Sequence, residues 1–379
     1  MNILFVAHHD NFQGSSRSLM SLLEGLQELG VVPFVVNPRE SLFTEALRAK
    51  GIHCAILPVP WWVSAKTLSC KKKVEHARVI RQSVSALQEV IKNWKIDLVY
   101  TNSSVTPIGL LAARKEKVPH IWHIREFGDL DFGLRFIYPK ALSKAFMLRS
   151  DAVICHSKVV TNYYFKPGGK RINQIYNGVT LKDQFVERLV LRQQTPQDRP
   201  FTFVMMSSIT PNKGQEQAIR ALAELHRQGV PAKLIVAGGG KADYLTELSA
   251  LCSDLHLGAH VEFTGFVEDP FPYYYLADCA LICSENEAFS RVGLEAMSTA
   301  LPVIGKNSGG NPEVIVDGET GFLYNTFDEL VEAMLRLAQN PTLGQKMGLA
   351  GWQRAKDMFN IEDYAANVYK VIQLVMDNR

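Results

Sequence analysis

Short apolar runs alternate along the chain with longer stretches in which apolar residues recur every third or fourth position. The short runs predict strands at Ile3–Ala7, Pro33–Val36, Cys54–Val59, Leu98–Asn102, Ile121–Ile124, Ala152–His156 and Gln174–Tyr176. The periodic stretches predict helices at 15–29, 40–50, 74–94 and 106–115. Continuous apolar strands separated by helices indicate a parallel sheet covered on both faces. Residues 181–200 are polar and end in a proline, which reads as a linker or hinge. The alternation then restarts, with strands at Thr202–Met206, Lys233–Ala237, Val261–Thr264, Ala280–Cys283 and Pro302–Ile304. Helices are expected at 214–229, 243–255, 291–300, 326–339, 342–357 and 361–377. The expected fold class is α/β, with two doubly wound domains facing a central cleft. Residues 1–185 form one domain and 186–360 the other, and the segment 361–379 closes the chain. In such sheets ligands bind at the carboxyl ends of the strands, and every polar motif below follows a predicted strand.

Composition narrows this little. The 379 residues are 47% apolar and 21% charged, as in a soluble globular protein. No run is long enough to predict a membrane span. The N-terminus, MNILFVAHH, reads as a first strand and not as a signal peptide. The six cysteines show no zinc-ligand spacing, so a reduced, cytosolic protein without disulfides or structural zinc is expected. Charge is unevenly spread. Residues 1–185 hold 25 Lys and Arg against 14 Asp and Glu, whereas 186–379 hold 16 against 24. A basic half suggests an anionic partner, with an ordinary solvated surface as the alternative.

The stretch SENEAFSRVGLEAMS, residues 284–298, carries two glutamates eight positions apart. On one helix their side chains would be separated by about 80° in azimuth and about 12 Å along the axis. A retaining pair of catalytic carboxylates needs about 5–5.5 Å. A strand–loop–helix division fits better, with Glu287 in the loop and Glu295 inside the helix. The amides of Ser290, Arg291 and Val292 would open that helix, and a helix N-terminus attracts phosphate. A capping acid beside a solvated helical glutamate is the plainer alternative.

This E-x7-E, followed by EAMSTALPVIGKNSGGNPEVI and DGETGFLY, resembles retaining glycosyltransferases of the GT-B fold, in particular family 4. The resemblance covers nearly the whole chain and is strongest over 201–325. It implies two Rossmann-like domains, with the segment 361–379 crossing back to the first. It also implies that Glu287 contacts donor-sugar hydroxyls and Glu295 the ribose of the nucleotide. Phe289 and Ser290 stand at the family's Phe-Gly positions. In SSITPNKGQEQAI, residues 207–219, Lys213 matches the family lysine on the donor phosphates. Ser208 stands where the family has an arginine, and Arg291 is the candidate replacement for that cation. The segment is not a Walker A motif, because GxxxxGK[ST] is absent. Phe266 and Val267 correspond to the segment that flanks the nucleobase. Gly309 and Gly310 would let amides approach an anion closely.

In the first half, Gly14 and Ser15 correspond to a loop that abuts the donor phosphates and the acceptor. His120 and His123 lie three apart on a strand, so their side chains point to opposite faces and a shared metal is disfavoured. His123 matches the family's histidine near the reaction centre, with a satisfied core histidine as the alternative. Arg125 and Glu126 are expected at the rim, touching the acceptor. The DLD triplet at 129–131 resembles the metal motif of a different glycosyltransferase fold, which the two-domain pattern contradicts. PWWVSAKTLSCKKK, residues 60–73, pairs two Trp with four Lys. It fits either a membrane interface or a loop whose Trp pack on the domain.

The resemblance thus implies a retaining sugar transfer from a nucleotide-sugar donor to a glycan or lipid-linked acceptor, with no metal or other cofactor. His123, Glu287 and Lys213 would be the catalytic residues, and closure about 181–200 would exclude water. No nucleic-acid partner is expected. A cytoplasmic location is expected, with peripheral contact to the anionic inner face of the cytoplasmic membrane. A nucleotide-sugar epimerase and a non-catalytic nucleotide-sugar-binding subunit are the rival functions. A dehydrogenase is disfavoured, because no GxGxxG follows the first strand.

Overall fold

The computed structural model describes residues 1–8, 14–166, 168–195 and 199–378. The chain forms two compact units, Met1–Gly178 with Ile361–Arg379, and Val179–Asn360. The first unit holds β1 (Asn2–Val6), β2 (Val32–Asn37), β3 (His53–Ile56), β4 (Val63–Ser64), β5 (Leu98–Thr101), β6 (His120–Ile124), β7 (Arg135–Phe136), β8 (Ala152–Cys155) and β9 (Ile172–Gln174). Seven of these make a sheet in the order β3-β2-β1-β5-β6-β8-β9, while β4 and β7 form a small antiparallel ribbon. Every pairing in the large sheet is parallel. Strand β3 ends at Ile56 and does not reach Val59 as expected, since Pro58 has no N–H for the ladder.

The second unit holds β10 (Phe201–Met206), β11 (Ala232–Ala237), β12 (Val261–Gly265), β13 (Cys279–Ile282), β14 (Val303–Lys306) and β15 (Gly321–Tyr324). They form a parallel sheet in the order β12-β11-β10-β13-β14-β15. Each sheet reverses its winding once, between β1 and β5 and between β10 and β13. These reversals are where a doubly wound sheet opens a crevice at its carboxyl edge. Helix boundaries follow local chemistry. Ser69 caps Cys70–Asn93, Thr326 caps Phe327–Gln339, and Asn340 followed by Pro341 opens Pro341–Met358. No helix among the described residues is long and apolar enough to cross a membrane.

The polar stretch 181–200 is not a linker along its length. It contains the helix Lys182–Gln193, which belongs to the second unit. Phe185 is fully buried and its carbonyl accepts from Trp352 Nε1 at 2.9 Å. Arg188 stacks 3.6 Å from the Phe271 ring centroid, and Arg192 donates to the carbonyls of Tyr274 and Ala277. One aromatic and two arginine stems anchor this helix, which explains why a search for apolar periodicity passes over it.

The C-terminal helix Ile361–Asp377 completes the core of the first unit. Its Tyr364, Ala365, Val368 and Ile372 pack among Leu19, Leu22, Leu23 and Leu26 of the helix Gly14–Glu28. The two helices touch closely at Gly25, where a Cβ would stand 2.5 Å from Ala365 Cβ. Valine at position 25 gains helix propensity over glycine but overpacks this crossing. Gly25→Val is therefore expected to lower unfolding free energy by about 1–3 kcal/mol in a denaturant titration. A midpoint at or above that of the parent would show that the crossing tolerates a side chain.

Candidate active site

In the second unit the sequence-predicted residues gather on four loops at the carboxyl edge, after β10, β12, β13 and β14. After β10 the chain turns through the short helix Pro211–Lys213 into Gly214, which has φ +75°. A Cβ on Gly214 would lie 2.7 Å from Cys283 Cβ, so glycine lets this loop rest against the end of β13. That contact carries Lys213 to Glu287, and Nζ donates to Oε2 at 2.8 Å. Both side chains are partly exposed, at 25% and 21%. Such a pair is worth about 1 kcal/mol or less after solvent screening, so a ligand can replace it at little cost.

Glu295 has a different setting. It is buried in the helix Arg291–Ser298. Arg291 Nε donates to its Oε1 at 2.8 Å, and the Tyr274 hydroxyl lies 3.4 Å from Oε2. Arg291, the candidate replacement cation, is thus held on Glu295. Ser208 is exposed, and Gln215 Nε2 holds its carbonyl at 2.9 Å. The glycines at 238–240 allow close approach of neighbouring backbone. A Cβ on Gly238 would lie 1.8 Å from the Ser207 carbonyl oxygen, and one on Gly240 would lie 2.8 Å from that of Ile209. Phe266 is exposed past β12, and Val267 half-buried.

Two expected phosphate-binding amides are already engaged. Arg291 N donates to the Phe289 carbonyl at 3.0 Å, and Gly310 N to the Glu287 carbonyl at 2.6 Å. The Ser290 side chain caps its own helix by accepting from Gly293 N at 3.2 Å. Phe289 is buried against Phe359 and Val292 is half-buried. Gly309 and Gly310 serve close loop packing. Their Cβ atoms would stand 2.3 Å from the Glu287 carbonyl oxygen and 2.6 Å from that of Ala288. The glycine pair therefore sets where the Glu287 backbone lies.

In the first unit, His123 lies one residue before the end of β6 and is fully buried. Burial, then Arg125 and His156, pushes its pKa well below the ordinary value. The structure overturns the rim placement of the next two residues. Arg125 is buried, donating to Asn102 Oδ1 at 2.6 Å, Asn177 Oδ1 at 2.8 Å and the Tyr364 hydroxyl at 2.7 Å. Glu126 is buried as well, and its Oε1 accepts from Ser103 Oγ and Ser104 Oγ, both at 2.6 Å, and from Ser104 N at 2.5 Å. A buried charge needs such partners, which leaves neither group at a solvent rim. Gly14 opens its helix in an exposed position where an added Cβ would meet no described atom within 4 Å, and Ser15 is half-buried. The loop 9–13 before them lies outside the described residues. His120 is a satisfied core residue bonded to Thr101 Oγ1 and Ser150 Oγ, with its pKa lowered to about 3 by burial and then Arg114.

Two family models match the chain in succession, "Glycosyltransferase Family 4" over residues 12–183 and "Glycosyl transferases group 1" over residues 187–354. The chain belongs to the family 4 glycosyltransferases of the GT-B fold. It is similar to the GDP-mannose-dependent alpha-(1-6)-phosphatidylinositol monomannoside mannosyltransferase of Mycolicibacterium smegmatis, 36% identical over 171 residues. That match covers 42% of this chain and 44% of the relative, so the chain spans less than half of that protein's length. The human alpha-1,3/1,6-mannosyltransferase ALG2 is 28% identical over 302 residues, 71% of each chain. The crystal structure of Anabaena Alr3699/HepE in complex with UDP and glucose superposes with a TM-score of 0.78. It covers 98% of this chain and 99% of its own at 20% identity, a likeness of fold.

Within this family 4 chain, two further sequence motifs have structural roles. Asp131 of the DLD triplet accepts from Phe127 N and Gly128 N, and Asp129 pairs with Lys140 and Tyr163. Trp62 is buried, stacked on Trp122 at 5.6 Å, and its Nε1 donates to the Ser104 carbonyl. The tryptophan loop thus packs on its own unit, as one of the two readings expected. Asn102, Asn177, Tyr100 and Tyr364 around His123 had no local signal, because each is singled out only by a partner distant in sequence. Gly309→Ala tests the loop contact. The left-handed φ of +56° and the clash with the Glu287 carbonyl together predict a loss of about 1–3 kcal/mol in thermal or chemical unfolding. Unchanged stability would mean that the two loops do not touch this closely.

Proposed function

We propose that the protein transfers a sugar from a nucleotide-sugar donor to a hydroxyl of a glycan or lipid-linked acceptor, with retention at the anomeric carbon and without a metal. One observation carries this reading. Lys213 and Glu287 meet at the ends of β10 and β13, beside the point where the sheet reverses, with Glu295 on the helix that follows. On this reading the donor breaks the Lys213–Glu287 pair. The ammonium turns to the diphosphate, the Glu287 carboxylate accepts from sugar hydroxyls, and Glu295 accepts from the ribose. Lys213 then stabilises the charge that develops on the leaving diphosphate. A leaving phosphate oxygen takes the acceptor's proton on the face from which the bond breaks, so no carboxylate nucleophile is needed.

Two similarities support the reading at the level of substrate class. The mycobacterial relative is named as GDP-mannose-dependent, and the Anabaena structure holds UDP and glucose. They differ in nucleobase, so the base is left to a thermal-shift panel of UDP, GDP, ADP and their sugar conjugates. Lys71 and Lys72 are exposed at the start of the helix Cys70–Asn93. They give the basic first unit a surface for an anionic cytoplasmic membrane, where a lipid-linked acceptor would reside.

Glu295→Ala is expected to weaken nucleoside diphosphate binding by about tenfold or more, the loss of charge-assisted hydrogen bonds worth about 1.5–3 kcal/mol. Glu287→Ala is expected to lower turnover with a smaller effect on that binding. Calorimetry and a transfer assay separate the two. Wild-type rates in both variants would sink the assignment. Conversion of the donor sugar without any acceptor would indicate an epimerase instead.

A further inference from the structure

Four side chains from separate stretches of the first unit surround the His123 ring. Tyr100, on β5, places its hydroxyl 2.6 Å from Nδ1. Arg125, just past β6, places Nη2 3.2 Å from the same nitrogen. Tyr364, on the C-terminal helix, accepts from that Nη2 at 2.7 Å and meets the His123 ring edge-on at 6.3 Å. His156 follows β8 and would lower the ring's pKa if charged, but burial and then Arg125 hold its own pKa well below the ordinary value, which keeps it neutral. These are the titratable and charged groups that face His123.

Their chemistry decides which ring nitrogen carries the proton. A guanidinium has five N–H donors, no acceptor, and keeps its proton in proteins. Burial raises Tyr100 well above its ordinary pKa, so its hydroxyl keeps a proton to donate. A protonated Nδ1 would set N–H against the N–H of Arg125. A bare Nδ1 accepts from both neighbours. In a neutral imidazole the proton then resides on Nε2. Nε2 is buried and no described residue bonds it. A buried N–H without an acceptor is costly, and a ligand oxygen would recover that cost.

We propose that Arg125 is a positioning residue that, together with Tyr100, fixes His123 in its Nε2–H form. His123 then gives a hydrogen bond to a substrate oxygen and takes no proton from the acceptor. The oxygen's identity rests on the sugar-transfer reading, whereas the position of the proton does not. Asn102 and Asn177 hold the other guanidinium nitrogens, so the fork cannot swing away from the ring. Tyr364, 239 residues along the chain, fastens it from the C-terminal helix.

Nitrogen-15 histidine NMR on the full chain tests this directly, with His123→Gln identifying the resonances. The expected spectrum shows bare Nδ1 and protonated Nε2, unchanged between about pH 5.5 and 8. Arg125→Met should release the lock, giving mixed neutral tautomers and a ring pKa that moves up yet stays below the ordinary histidine value, because burial, its larger cause, remains. Arg125→Lys should restore it in part, and Tyr364→Phe should loosen it less than Arg125→Met. A native ring protonated at Nδ1, or titrating as an ordinary histidine, overturns the proposal whatever the transfer assay gives. In that assay His123→Gln, whose amide can donate from about the Nε2 position, should retain about tenfold more activity than His123→Asn. Equal loss in both overturns the donor role. An Nε2–H ring in a chain that transfers no sugar upholds the lock and overturns only the sugar-transfer reading.

Discussion

The first unit is organised by the need to satisfy one buried guanidinium. Arg125 lies inside the protein, and its hydrogen-bond partners, Asn102, Asn177, Tyr364 and His123, are all neutral. Removing an unpartnered cation from water costs several kcal/mol. Every N–H of the fork must therefore be matched. Those partners come from the ends of neighbouring strands and from the final helix. The close crossing at Gly25 then becomes functional as well as structural, since it sets how near Tyr364 comes to the guanidinium. A helix that packs as core on one side supplies a polar contact to the site on the other.

The second unit follows a contrasting rule. Its charged groups at the carboxyl edge are paired, but the Lys213–Glu287 pair is partly open to water and only weakly favourable. What is rigid there is backbone. Gly214 brings one loop onto Cys283, and Gly309 and Gly310 lay another onto Glu287 and Ala288. The glycines fix where the loops lie, and the side chains remain exchangeable. This suits a site where a charged ligand must displace a protein partner on entry and return it on leaving.

Periodicity made both sheets legible, because strands buried on two faces are written as unbroken apolar runs. The Glu287 and Lys213 motifs were legible too, since each sits on one loop after one strand. Legibility failed where burial is decided at long range. Arg125 and Glu126 read as surface residues, because a charged pair after a strand usually is one. Asn102, Asn177, Tyr364 and the Ser103–Ser104 turn, invisible from 125 and 126, take them inside. The helix Lys182–Gln193 was missed for a related reason. It buries one phenylalanine and the stems of arginines, a pattern no hydrophobic period reports. Amides expected to bind phosphate were misjudged because a loop's internal bonds, such as Gly310 N to Glu287 O, depend on how two loops meet.

These two modes of construction match two chemical demands. A group that must change partners during a reaction gains from partial exposure, because water screens the pair it leaves and lowers the cost of breaking it. A group whose protonation must not change gains from the opposite setting. Low dielectric disfavours a charged imidazole, and fixed donors choose which nitrogen stays bare. His123 stands in the second setting and Lys213 and Glu287 in the first. If proton transfer were assigned to His123, the protein would need to relieve the Arg125 contact and hydrate the ring in every cycle. Both are opposed by the buried network around it. On the proposed reading, a proton that passes from acceptor to leaving phosphate asks neither of the fold, and it would leave His123 free to hold its ligand as a donor throughout.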